Sequence, residues 1–287
     1  MPAEPPVESP ITLADAYRFL TDGGTAAWRP LAGGTDLMVQ IAADVSPPPD
    51  RVLNIWALEE LRGIGLDGDE LVIGALTTYT ELRASALVGE LLPALAVASA
   101  TIGAAQIQNR GTVGGNLVNA SPAGDTLPIW LATDSLIVLG SASGERSVAA
   151  MDFFTGYRET ARRDDELVLR LRIPLLPRRH VRFRKVGTRR AQAISKVVMA
   201  VSWLTGDDGA WTDTRVALGS VAATPIRSRS TEAALEGQHP VRPTADAAVA
   251  ALEGEIQPID DVRSSADYRR LVAGRVLRRL IRGEGGW

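Results

Sequence analysis

Two glycine pairs carry the chemistry that this sequence advertises. Gly33-Gly34 lies in Leu31-Ala32-Gly33-Gly34-Thr35-Asp36-Leu37 and Gly114-Gly115 in Thr112-Val113-Gly114-Gly115-Asn116. Each stands where an apolar stretch gives way to another element. A residue without Cβ lets successive main-chain N–H groups turn toward one point and approach a ligand, which makes an anion-binding concavity. Two such concavities suit a diphosphate better than one. A Rossmann fingerprint, with Gly-x-Gly-x-x-Gly and an acidic residue about 20 positions on, is missing, as is the Gly-Lys-Ser/Thr of a Walker loop. With 27 glycines in the chain either pair alone is weak, so the flanking residues decide.

Other chemistry is sparse. There is no cysteine, which removes thiolate nucleophiles and cysteine-held clusters together, and two histidines, His180 and His239, make a histidine metal site improbable. No residue near the glycine motifs has the character of a general acid or base for a substrate, so the reaction is borrowed from a cofactor. The histidines stand outside those motifs and give no support for covalent cofactor attachment. The only lysines, Lys185 and Lys196, stand out against abundant arginine.

A net charge of −3 disfavours nucleic-acid binding, which needs a cationic surface. The arginine clusters at Arg178 to Arg190 and Arg269 to Arg282 read as solvated or subunit-facing surface. No apolar run approaches the roughly 18 residues that span a bilayer, and the expected location is the cytoplasm. At 287 residues, 45% hydrophobic and 23% charged, the chain has room for one large folded unit or two to three smaller ones. Unstructured composition is confined to the first ten residues, which hold four prolines.

The elements that must position the glycines follow from periodicity and caps. Thr12 with Asp15 resembles a capping box for a first helix ending at Gly23-Gly24. Ala27 to Ala32 reads as a strand, Asp36 to Ala43 as a helix, and Val52 to Ile55 as a strand. Ile64 to Leu66 and Leu71 to Ile73 form a hairpin about Asp67-Gly68-Asp69-Glu70. Leu92, Leu95, Ala96, Ser99 and Ile102 mark one face of a helix from about Glu90 to Gln106 that leads to the second glycine pair. Asp125 follows turn chemistry at Ser121-Pro122 and is placed to cap a helix over Thr126 to Ala132. Strands are expected at Ser135 to Leu139, Arg146 to Ala149 and Leu167 to Ile173, then a boundary near 174–181 at Pro174 and Pro177. Strands Val181 to Val186, Val197 to Leu204 and Trp211 to Leu218 and three helices complete a separate α+β unit.

Pro30 to Leu37, Arg110-Gly111-Thr112-Val113-Gly114-Gly115-Asn116-Leu117 and Ala120-Ser121-Pro122-Ala123-Gly124-Asp125, in that order and spacing, resemble the FAD-binding subunit of the xanthine dehydrogenase family of molybdenum hydroxylases. Glu166-Leu167-Val168-Leu169, Phe183-Arg184-Lys185-Val186-Gly187 and Ala217-Leu218-Gly219-Ser220-Val221 extend the resemblance over nearly the whole chain. It implies an α+β architecture: a two-subdomain PCMH/VAO-type FAD-binding fold, 1–56 and 57–176, then a C-terminal α+β domain, 177–287. The implied contacts to FAD are the backbone of Pro30, Leu31, Ala32, Gly33, Gly34, Thr35, Asp36 and Leu37 and of Thr112, Val113, Gly114, Gly115 and Asn116. Asp125 would accept hydrogen bonds from the cofactor, Lys185 would make a polar contact, and Ile102, Leu167 and Val168 would line its apolar flank. From residue type alone, Asp125 reads equally as a helix cap, Lys185 as a snorkelling surface lysine, and Ile102 and Val168 as ordinary core.

In this family a large subunit oxidises the substrate at a molybdenum cofactor and a small subunit relays electrons through [2Fe-2S] clusters. The flavin then passes them to an acceptor. The resemblance therefore implies non-covalent FAD here and both metal centres on partner subunits, in a heterotrimer or a dimer of heterotrimers. The lack of cysteine agrees, since this chain cannot hold a cluster. The competing readings are a stand-alone FAD oxidoreductase acting directly on a small molecule and a non-catalytic module that has kept the turns and lost the flavin.

Overall fold

In a computed structural model of the chain, residues 5–22, 27–43, 47–189 and 192–287 are described. Gly23-Gly24, expected to end the first helix, lies outside the described residues, as does Arg190 of the first arginine cluster.

The N-terminal part interleaves β1 (Val7–Glu8), α1 (Leu13–Thr21), β2 (Trp28–Leu31), α2 (Leu37–Ala42) and β3 (Arg51–Asn54). The strands form a parallel sheet ordered β1-β3-β2. The proline-rich start is thus not wholly unstructured: Val7 and Glu8 pair with Val52 and Leu53. Thr12 caps α1 by accepting from Asp15 N at 3.1 Å and donating to the Asp15 carboxylate at 2.7 Å.

The second part begins with β4 (Ile64–Asp67) and β5 (Glu70–Gly74), joined by a two-residue turn in which Gly68 takes φ +57°. Five short helices follow: α3 (Tyr79–Ala84), α4 (Ala86–Leu91), α5 (Pro93–Ser99), α6 (Ala105–Arg110) and α7 (Val113–Asn119). The single helix expected over Glu90 to Gln106 is broken twice. Pro93, with no N–H to give, starts α5 and ends the preceding turn, and Gly103 at φ +50° separates α5 from α6. After α8 (Leu127–Ala132) come β6 (Leu136–Ser141), β7 (Gly144–Ala149), α9 (Ala150–Phe153), a small ribbon of β8 (Phe154–Gly156) and β9 (Glu159–Thr160), and β10 (Leu167–Pro174). The antiparallel sheet runs β4-β5-β10-β6-β7.

The last part is an antiparallel sheet of β11 (Arg179–Val186), β12 (Val197–Thr205), β13 (Trp211–Gly219) and β14 (Ile226–Arg227), covered by α10 (Arg229–Leu235), α11 (Arg242–Glu255) and α12 (Ala266–Gly285). Every other residue of a strand faces one side, and the inward set of β12 and β13 packs on the apolar faces of α11 and α12 around Trp203, Trp211, Leu252 and Leu277.

The N-terminal sheet has no core to itself. Ala16 and Leu53 are buried together with Val138, Leu167 and Leu169 of the second sheet. The C-terminal part is also tied in, through the fully apolar α8, which packs on β12 and β13, and through Ser220 N, which donates to Pro122 O at 2.8 Å.

Candidate functional site

The first glycine turn leaves the C-terminal end of β2, whose last carbonyl, Leu31 O, accepts from Ile55 N at 3.0 Å. Gly34 takes φ +76°, a conformation that side chains with a Cβ rarely adopt, and Met38 N donates back to Gly34 O at 3.1 Å to open α2. The main-chain N–H groups of Gly33, Gly34, Thr35, Asp36 and Leu37 have no hydrogen-bond partner among the described residues. They are the donors left open to a ligand.

The second turn is built differently. Val113 N donates to Thr77 O at 3.0 Å, Gly114 N to Ala75 O at 2.7 Å, Gly115 N to Thr112 Oγ1 at 3.1 Å and Asn116 N to Thr112 O at 3.0 Å. The sequence predicts amides offered from both turns; in the second, those of Val113 to Asn116 are consumed by α7 and by the segment that follows β5, and only Thr112 N has no partner among the described residues. Its glycines allow close packing instead: a Cβ on Gly114 would lie 2.8 Å from the Ala75 Cβ.

The two turns touch. A Cβ on Gly33 would sit 1.7 Å from the Arg110 carbonyl oxygen, immediately before the second motif. Trp56, just after β3, has two guanidinium groups over its ring, Arg110 at 3.7 Å and Arg62 at 4.6 Å from the centroid, which ties Arg110 to the N-terminal part.

A cleft with a cavity volume of about 180 Å³, partly open to solvent, opens beside the junction. Its wall contains Pro30, Leu31, Ala32, Gly33, Gly34, Thr35, Asp36 and Leu37, then Ile102, Thr112, Gly114, Gly115 and Asn116, and Leu167 and Val168. Val113 does not reach it; its side chain is buried in the main core. Asp125 and Lys185 also lie behind the wall.

These two form a buried ion pair with Lys185 Nζ 2.6 Å from Asp125 Oδ2, each side chain 8% exposed. The Ser195 hydroxyl donates to the other carboxylate oxygen, and Lys185 Nζ also donates to Thr101 O at 3.0 Å, one residue from Ile102. Asp125 makes no cap bond to α8, and Lys185 does not reach solvent, so the two simpler readings of these residues fail. Burial pushes the Asp125 carboxyl above the ordinary aspartate range, with the Lys185 charge pulling against it.

Residues 4–176 match the FAD binding domain in molybdopterin dehydrogenase, and 182–283 match the CO dehydrogenase flavoprotein C-terminal domain. The chain belongs to the FAD-binding subunits of the molybdenum hydroxylases. Among its relatives is the glyceraldehyde dehydrogenase medium chain of Sulfolobus acidocaldarius, 34% identical, covering 91% of each chain. The carbon monoxide dehydrogenase medium chain of Afipia carboxidovorans is also 34% identical, covering 95% of this chain and 93% of the relative. The solved carbon monoxide dehydrogenase of Hydrogenophaga pseudoflava superimposes with a TM-score of 0.92 at 30% identity, over 97% of this chain and 96% of that one.

The residues present fit the FAD of this family. A run of unpartnered amides, a glycine cradle and the apolar Ile102, Leu167 and Val168 line one cleft, which suits a ligand with an anionic middle and flat apolar end. Sequence reasoning missed several lining side chains, among them Arg29, Tyr79, Asn119, Arg162 and Glu166. Arg29, Asn119 and Glu166 adjoin or lie within the quoted segments, whereas Tyr79 and Arg162 are carried there by tertiary packing with no motif around them.

Glu166 shows how such a flavin-subunit cleft is braced. Arg146 Nε and Nη2 donate to its two oxygens at 2.6 and 2.8 Å, Arg163 N donates at 2.7 Å, and Arg162 Nη1 holds its main-chain oxygen at 2.8 Å. Burial would raise the Glu166 carboxyl, but the hydrogen bonds from Arg146 and Arg163 and both guanidinium charges outweigh it and hold the group below the usual glutamate range. Its contribution is then complete above the unfolded value of about 4.3 and is lost as pH falls through the depressed folded value. Glu166→Gln is expected to lower stability by about 1–3 kcal/mol at pH 7. In denaturant titrations the gap to wild type should close below about pH 4; a gap unchanged at pH 3 would contradict the assignment.

Proposed function

We propose that the chain holds FAD non-covalently in this cleft as the medium subunit of a molybdenum-containing hydroxylase. It takes electrons from [2Fe-2S] clusters of a small partner subunit and passes them to an external acceptor, while a large partner subunit oxidises the substrate at its molybdenum cofactor. The observation that carries the reading is the contact of Gly33 with Arg110, which brings the two sequence motifs to one cleft.

The open amides from Gly33 to Leu37 would bind the diphosphate, with Thr112 and Asn116 on the opposite wall. Ile102, Leu167 and Val168 would exclude water from the apolar ring. Asp125, expected to accept from the cofactor, has its two carboxylate oxygens bonded to Lys185 and Ser195 behind the wall, and would instead stiffen the segment behind Ile102. FAD, when bound, supplies one- and two-electron exchange, and no side chain of the cleft is required to move a substrate proton. We assign the units as 1–56, 57–176 and 177–287, the assembly as a heterotrimer or a dimer of heterotrimers, and the compartment as the cytoplasm. Among the described residues no helix is long and apolar enough to cross a membrane.

Purification from the native source with whatever co-elutes tests this reading. A yellow chain releasing FAD into acid supernatant, accompanied by molybdenum- and iron-bearing subunits, is expected. A chain that is reduced directly by a small substrate without partners would instead make it a stand-alone oxidoreductase, and a colourless chain that takes up no FAD would remove the cofactor altogether.

A further inference from the structure

Tyr79 opens α3, directly after the capping box made by Thr78 and Glu81. Its backbone N donates to Gly111 O at 3.3 Å, and a Cβ on Gly111 would come within 3.2 Å of the ring, so the absence of a side chain there lets the phenol lie against the second glycine segment. The ring is part of the main core and only 2% exposed, yet the residue lines the cleft.

The hydroxyl has no hydrogen-bond partner among the described residues. The adjacent Thr126 hydroxyl donates to Asn116 Oδ1 at 2.9 Å and keeps an acceptor lone pair near the phenol, but that approach falls short of a hydrogen bond. Buried tyrosines nearly always satisfy their O–H, because water has been traded away and the lost bond is not otherwise replaced. An apolar residue of the same shape would have filled this core position without that penalty. A hydroxyl kept there, on the wall of a ligand cleft and beside the glycine junction, calls for a partner that arrives with the ligand.

We propose that Tyr79 is a cofactor-contacting residue whose hydroxyl donates a hydrogen bond to a diphosphate oxygen of FAD. The inference rests on the FAD reading above and adds a side-chain donor to a site otherwise made of main-chain amides. Burial, against the pull of the nearby Thr126 hydroxyl and with smaller help from the charges of Asp36 and Asp125, holds the phenol far above its ordinary value, so it stays protonated and can only donate toward an anion. A donor that meets a charged oxygen in a dry site is stronger than one that meets a neutral carbonyl.

Tyr79→Phe in the full chain, purified with its partners, is the test; the ring is unchanged and the core stays filled. FAD affinity should fall about tenfold or more, equivalent to about 1.4 kcal/mol. ADP should lose affinity in parallel while riboflavin does not. After flavin removal the variant should melt at the same temperature as wild type or higher, because the unpaired group has gone. A purely structural hydroxyl, bonded within the protein, predicts the reverse, a lower melting temperature without flavin and unchanged affinity. Equal FAD affinity of variant and wild type, as a trapped water on the hydroxyl would give, overturns the proposal, and a loss confined to riboflavin overturns the diphosphate assignment. Wild-type protein that takes up no FAD marks failure of the underlying reading and is seen before any variant is made.

Discussion

Gly33→Ala is expected to purify without flavin. The added carbon would sit 1.7 Å from Arg110 O and 2.5 Å from Arg110 C, where non-bonded carbon and oxygen need about 3.3 Å or more. Both partners are main chain, so no rotamer can relieve the clash. The first turn must move by something over an ångström, and with it the five open amides. Displacements of that size typically cost about a hundredfold where geometry matters. We therefore expect FAD affinity to fall by about a hundredfold or more, with a stability loss of about 1–3 kcal/mol from overpacking. Gly34→Ala is the control: its Cβ would meet only side chains, at 3.4 and 3.6 Å, but φ +76° strains it, at a cost of roughly 1–2 kcal/mol. Flavin-to-protein absorbance ratios compare the two. Wild-type flavin content in Gly33→Ala would mean that the turns do not meet as described.

Lys185→Met should be the most destabilising single replacement of a charged side chain near the cleft. It leaves the Asp125 carboxylate, 8% exposed, with only the Ser195 hydroxyl and a long contact from Thr101 at 3.4 Å. Breaking a buried pair from one side costs about 3–5 kcal/mol, most of it the stranded charge. The effect has a pH signature. Burial already raises the Asp125 carboxyl, and removing the opposing ammonium raises it further. A carboxyl whose folded value exceeds the unfolded one, about 3.9, contributes its full stability below that pH. It loses this as pH rises through the folded value. The gap between wild type and Lys185→Met should accordingly widen from pH 4.5 to pH 8 in denaturant titrations, and Asp125→Asn combined with Lys185→Met should recover most of the loss. A gap independent of pH would show that the pair is not buried as a pair.

Much of the chain was legible because its signals are local. The hairpin about Gly68, the first helix capped by Thr12, and the strands of the last sheet each follow from a turn residue, a cap or an alternation within a few residues. The error over Glu90 to Gln106 has the same origin: an apolar stripe of helical period survives interruption, since α5 buries Ala94, Leu95, Ala98 and Ser99, and the stripe outweighed Pro93 and Gly103. The early strand Val7–Glu8 was hidden by prolines, which are tolerated beside an edge strand.

The site divides along the same line. Sequence alone determined that two glycine turns exist, that the chain brings no thiolate and almost no histidine, and hence that its chemistry is a cofactor's. Tertiary structure alone decided that the turns meet, that the first leaves a run of five amides open while most of the second's are consumed, that Asp125 is paired with a lysine of the C-terminal sheet, and that Tyr79 reaches the cleft. The reason is physical: a turn's conformation is written in neighbouring residues, whereas which donors remain unpaired depends on every group that packing brings within reach, and those come from all over the chain.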